Sequence, residues 1–148
     1  MITESDVEID APANLVWEVF TDVERWSEWT ASVTELVGLD GPKIAVGKRF
    51  RIKQPKLPTL VWQVTELQPG ASWTWVQRSA GGSTLARHTV TPLSEDRTLV
   101  HQTLDQSGPI GAVVGRLMRG TTRRYLALEA QGLKARSEQL RHSHGPAS

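Results

Sequence analysis

The 148-residue chain contains no cysteine, which excludes disulfides and thiolate metal sites and fits a cytoplasmic protein. It has no apolar run near the roughly 20 residues of a membrane-spanning helix. The opening Met1-Ile2-Thr3-Glu4 lacks the basic and apolar regions of a signal peptide. No excess of one charge exists either: 17 basic and 16 acidic residues leave a net +1, so charge alone gives no reason to expect DNA as a partner. Phenylalanine and tyrosine are scarce, two and one, yet six tryptophans are present. Indole combines a large apolar body with a single N–H donor, which suits a core or the wall of a ligand cavity.

The N-terminal segment carries the strongest pattern. Val7 and Ile9 alternate in a short strand, Ala11-Pro12 follows, and Val16, Trp17 and Phe20 then share one helical face. Proline is tolerated in a first helical turn because its missing N–H has no partner there in any case. Asp22 reads as the N-cap of a second short helix bearing Trp26 and Trp29. Further strands are predicted at 31–40, 47–54, 59–67, 71–79, 83–92 and 97–105, bounded by turn residues such as Gly41-Pro42, Pro69-Gly70 and Ala80-Gly81-Gly82. Ile110, Val114, Leu117, Thr121, Tyr125, Leu128 and Gly132 recur at three- and four-residue steps, predicting one helix over 110–141. Gly115, Gly120 and Gly132 lie inside it, and each costs about 1 kcal/mol relative to alanine. That cost is tolerable where the helix bends or meets another backbone. Residues 1–141 thus read as a single domain, with a disordered tail over 142–148 that holds His142 and His144.

Taken together, the Ala-Pro segment, the Trp17 and Trp26/Trp29 helices and the element order resemble the START-like (SRPBCC) superfamily over about residues 3–140. This superfamily includes polyketide cyclase/dehydratase-like proteins and the Bet v 1 type. The resemblance implies an α+β helix-grip fold: a curved seven-stranded antiparallel sheet wrapped around a long C-terminal helix, with two short helices after strand one. It also implies a cavity between sheet and helix. It leaves the chemistry open, because one fold hosts many functions.

Strand parity predicts the inward residues: Trp62 and Val64; Trp73, Trp75 and Gln77; Ala86, His88 and Val90; Leu99, His101, Thr103 and Asp105. The opposite faces, including Thr74, Arg87 and Gln102, read as solvated. His88 and His101 stand where the family commonly has aromatic or aliphatic residues. On adjacent strands they would be able to share a ligand, one as a general base and the other as a hydrogen-bond donor, oriented by Asp105 or Tyr125. Each is also readable, and more simply, as an interior histidine bonded to a neighbour.

Three functions remain open. The first is binding of a small hydrophobic or amphipathic ligand (lipid, polyketide or aromatic metabolite) by Trp62, Trp73, Trp75, Gln77, His88, His101, Thr103, Leu117, Thr121 and Tyr125. The second is a cyclase or dehydratase without a cofactor, using His88 or His101 as its acid/base group. The third is an interaction module built on the terminal helix, whose outer side carries Arg116, Arg119, Arg123, Arg124, Lys134, Arg136 and Arg141 against Glu129 and Glu138. No metal site is expected. Residues 41–47 lack the spacing of a phosphate-binding loop, and no nucleophile elbow occurs. Either a monomer or a homodimer is compatible with the sequence.

Overall fold

The computed structural model describes residues 1–143. Strand β1 (Ile2–Ile9) leads into helix α1 (Ala13–Thr21) and a 3-10 helix (Val23–Glu28). Six strands follow: β2 (Glu35–Gly38), β3 (Arg49–Lys53), β4 (Leu60–Gln68), β5 (Ser72–Ser79), β6 (Gly82–Ser94) and β7 (Arg97–Ser107). Helices α2 (Pro109–Leu117) and α3 (Arg119–Ser143) close the chain. The seven strands form one antiparallel sheet in the order β1-β7-β6-β5-β4-β3-β2. β1 returns to pair with β7, so the N-terminal strand lies beside the last one. This is the expected helix-grip arrangement.

Four details depart from the sequence reading. The 31–40 strand contracts to Glu35–Gly38. Asp22 occupies the N-cap position but makes no side-chain cap bond; its carboxylate pairs with Arg25 at 3.3 Å. The terminal helix is two helices that meet at Met118, between Gly115 and Gly120, where helix propensity is lowest. Helix α3 also continues through Ser143, so His142 and Ser143, placed in the tail by the sequence reading, are helical; His144 and the rest of that stretch lie outside the described residues.

Two close approaches fix the terminal helices. A Cβ at Gly132 would lie 1.9 Å from the Trp29 carbonyl oxygen, so glycine there lets α3 press against the end of the 3-10 helix. A Cβ at Gly82 would lie 2.7 Å from the Gly111 nitrogen, and Ile110 N–H donates to the Gly81 carbonyl at 2.9 Å. The β5–β6 hairpin tip therefore anchors the start of α2. The core gathers where α1, the 3-10 helix and α3 cover the sheet. Phe20, Trp26, Trp73 and Leu133 are buried there, and Phe20 meets Trp73 edge-on with ring centroids 4.7 Å apart.

Candidate functional site: a tryptophan-walled cavity under the C-terminal helices

Beyond that core the sheet and helices leave a cavity of about 300 Å³, the lower end of the range of roughly 300–1,000 Å³ for ligand pockets. Its apolar wall comes from Trp26, Ile52, Leu60, Trp62, Trp75 and Leu126. Gln77, His88, Gln102, Gln106, Thr121, Tyr125 and Glu129 add polar groups. Leu57 and Pro58 of the β3–β4 loop, the β5–β6 hairpin, and Ile110, Val114 and Met118 border the opposite end.

His88 is the most constrained polar group. It is buried and stacks on the Trp73 indole, with centroids 3.9 Å apart and planes 10° apart. Its Nδ1 lies 3.2 Å from the Trp73 carbonyl oxygen. A carbonyl only accepts, so Nδ1 carries the proton and Nε2 keeps a lone pair. Burial drives the imidazole pKa down to about 3, outweighing the opposing pull of the Trp73 carbonyl. His88 is therefore neutral near pH 7, with a free acceptor nitrogen.

Glu129 on α3 supplies the complementary group. It is buried and borders the cavity, and burial raises its pKa to about 7. Ser32 Oγ donates to Glu129 Oε1 at 3.4 Å and lies 2.8 Å from Thr30 Oγ1. The sequence reading put Glu129 on the outer, basic side of the helix. In fact the helical stripe through Leu126, Ala130, Leu133 and Ser137 is the buried one, and three- and four-residue steps from it bring Glu129 inward. That stripe, followed instead of Leu117–Thr121–Tyr125–Leu128, was the signal available in the sequence.

Several predicted site residues hold their places. Trp62, Trp75, Gln77, His88, Thr121 and Tyr125 border the cavity. The Gln77 amide donates to Ser79, and the Tyr125 hydroxyl donates to the Pro55 carbonyl, tying α3 to the β3–β4 loop. Others do not. Trp73 lies in the core behind His88 rather than in the cavity wall. Leu117 is 80% exposed and faces away from the pocket.

His101 is the largest correction. It pairs across the ladder with Asp6, on the face opposite Val7 and Val100, which are buried. Its Nδ1 bonds Asp6, its Nε2 lies 3.1 Å from Thr103 Oγ1, and Glu4 lies 3.6 Å away. Thr103 borders the pocket, but its hydroxyl belongs to this outer cluster. Asp105 is likewise on the outer side, 3.8 Å from the N-terminal amine. The inward set on β7 is Thr98, Val100, Gln102 and Leu104. Since side chains alternate with period two, a one-residue error in phase moves every member to the other face. Across from His88 stands Gln102, not a second histidine. Thr74, expected to be solvated, is buried as well.

No group of three His, Asp or Glu residues able to hold a metal ion occurs among the described residues. No described helix is long and apolar enough to cross a membrane.

A curved antiparallel sheet gripping a terminal helix over a polar-studded apolar cavity defines a helix-grip ligand-cavity protein. The chain belongs to the polyketide cyclase/dehydrase and lipid transport family, which matches residues 2–138. Among solved structures, the Zhui aromatase/cyclase from Streptomyces sp. R1128 is similar at 18% identity and TM-score 0.80, with 99% of each chain covered. A START superfamily protein from Mycobacterium smegmatis is similar at 20% identity and TM-score 0.74, covering 95% of this chain and 99% of that one. Norcoclaurine synthase from Thalictrum flavum is similar at 11% identity and TM-score 0.74, with 95% of each chain covered. At such identities these likenesses establish the fold. No curated protein matches the sequence. Family membership supports a role in hydrophobic ligand binding or in cyclisation.

Proposed function

We propose that this protein binds a small, largely apolar molecule carrying at least one hydrogen-bonding group, of the lipid, polyketide or aromatic metabolite class. The observation that carries the reading is the chemistry of the cavity: indole walls around His88 Nε2, a lone-pair acceptor, and Glu129, an acid retaining its proton up to about pH 7.

The test is paired native and denaturing mass spectrometry of the freshly purified protein, repeated on Thr121→Trp, which puts an indole into the cavity. A discrete extra mass on the native chain that is absent from the filled variant is the expected result. An identical extra mass on both proteins places the ligand elsewhere. Absence of any mass, together with no binding of an environment-sensitive apolar dye, overturns the reading.

A second reading, cofactor-independent cyclisation or dehydration, is favoured by the coexistence of a neutral imidazole and a protonatable carboxyl group on one cavity. Glu129, whose pKa near 7 suits proton transfer, would take a proton from carbon next to a carbonyl and return it to the alkoxide formed as that carbon attacks a second carbonyl, while His88 Nε2 accepts a hydrogen bond that holds the substrate. His101, on the outer face, has no part in it. Glu129→Gln that keeps ligand but loses turnover supports catalysis; unchanged turnover ends it.

A further inference from the structure

The C-terminal helices divide sharply by charge pairing. Toward the end of α3, Lys134 pairs with Glu138 at 2.5 Å, Arg136 with Glu28 at 2.5 Å and Arg141 with Asp96 at 3.3 Å. Around the α2–α3 junction the opposite holds. Arg116, Arg123 and Arg124 are exposed and have no ion-pair or hydrogen-bond partner among the described residues. Arg119 reaches only the Met1 sulfur, at 3.8 Å. No Asp or Glu occurs anywhere from Pro109 to Leu128.

Helix α2 adds a second, independent feature. Val113 is 59% exposed and Leu117 is 80% exposed, one turn apart on the same side of the helix. Ile110 and Val114 border the cavity while remaining 56% and 43% exposed. The helix therefore presents apolar side chains both to the cavity mouth and to the outside. Arg116 lies three residues from Val113, beside it on the helix surface.

We propose that α2 and the start of α3 form a docking surface for an anionic lipid bilayer, which brings the cavity mouth against the membrane. A bilayer offers both phases this surface asks for: anionic headgroups for unpaired arginines and acyl chains for Val113 and Leu117. An acidic protein would satisfy the arginines but gives no reason for apolar side chains this exposed between them. A single-stranded nucleic acid would call for aromatic stacking partners, and the only aromatic residue from 109 to 143 is Tyr125, whose hydroxyl is bonded to Pro55. The surface stands whatever molecule the cavity holds, so it extends the binding reading without depending on it.

Flotation of the full-length protein with vesicles tests this. Vesicles of phosphatidylcholine alone are compared with vesicles of phosphatidylcholine plus phosphatidylglycerol. The protein is expected to float with the anionic vesicles only, with binding that weakens as salt rises. Val113→Asp with Leu117→Asp should abolish flotation while the circular dichroism spectrum stays unchanged, since both side chains are already solvated. Arg119→Glu and Arg123→Glu should each weaken binding about five-fold or more. Failure to float with anionic vesicles, or undiminished flotation of the aspartate variant, overturns the proposal. Salt-sensitive retention on polyglutamate without vesicle binding overturns it in favour of an acidic protein partner.

Discussion

The two ends of the sheet's concave face show what one surface does under different covers. At one end α1, the 3-10 helix and the C-terminal half of α3 press on it, and the rings of Phe20, Trp26, Trp73 and His88 stack or meet edge-on. At the other end the cover is α2 and the start of α3, and an apolar cavity with glutamines and threonines on its wall remains. Trp26 belongs to both: it contacts Trp73 on one side and borders the cavity on the other. The difference lies in the covering elements rather than in the sheet. The packed end supplies the burial that holds the fold, and that leaves the open end free to keep unfilled volume.

The strongest way to break this division is to open the packed end. Trp73 has no exposed surface and touches Phe20, Trp75 and His88. Trp73→Ala should cost about 3–5 kcal/mol, read from the denaturant midpoint in an equilibrium unfolding curve. Thr121→Trp at the open end should leave that midpoint nearly unchanged. Equal losses at the two ends would mean that the cavity is as tightly packed as the core.

Glu129 and His88 sharpen the comparison, because their burial makes stability depend on pH in opposite directions. Glu129 keeps its proton in the folded chain up to about pH 7, whereas an ordinary glutamate has lost it by 4.5. Stability therefore falls as pH rises through that interval, by about 3 kcal/mol in all. Folded His88 stays neutral down to about pH 3, against an ordinary 6.5. Its contribution is present above 6.5 and is lost as pH falls toward 3. Between about pH 4.5 and 6.5 the two trends oppose each other and the native profile should be nearly flat. Glu129→Gln should tilt it upward with pH by about 1.4 kcal/mol per unit, and should be more stable than native at pH 8 by about 3 kcal/mol. His88→Gln should tilt it downward with pH by a similar slope. Denaturant midpoints across that range decide it; flat profiles for both variants would mean that neither group is desolvated.

Much of the architecture was legible because its signals are strictly local. Turn residues bounded the strands, the Ala-Pro entry placed α1, and alternation on β4, β5 and β6 put Trp62, Trp75, Gln77 and His88 on the inner face. What stayed hidden depended on neighbours distant in sequence. The glycines around Met118 are visible in the sequence, but the close approaches that they permit, Gly111 on the hairpin tip at Gly82 and Gly115 on Gln106, are not. Glu129 is inward because α3 turns its Leu126–Leu133 stripe toward the sheet; that stripe is present in the sequence beside the competing Leu117–Thr121–Tyr125–Leu128 row, and only packing chooses between them.

His101 marks where alternation alone fails, and it carries the smallest predicted effect. On β7 apolar residues occupy both phases: Leu99 on one, Val100 and Leu104 on the other. Composition alone does not choose between them. Pairing with β1 does, because Val7 stands opposite Val100 and Asp6 opposite His101. A strand whose buried face includes Val7 and Ile9 forces its partner's Val100 inward and His101 out beside Asp6 and Glu4. Partly exposed polar contacts of this kind contribute about 0–1 kcal/mol. His101→Ala should therefore shift the unfolding midpoint by less than about 1 kcal/mol and leave the mass of any bound ligand unchanged, while His88→Ala in the cavity wall should reduce ligand occupancy. Loss of ligand from the His101 variant alone would put the binding surface on the outside of the sheet and reverse the assignment of its two faces.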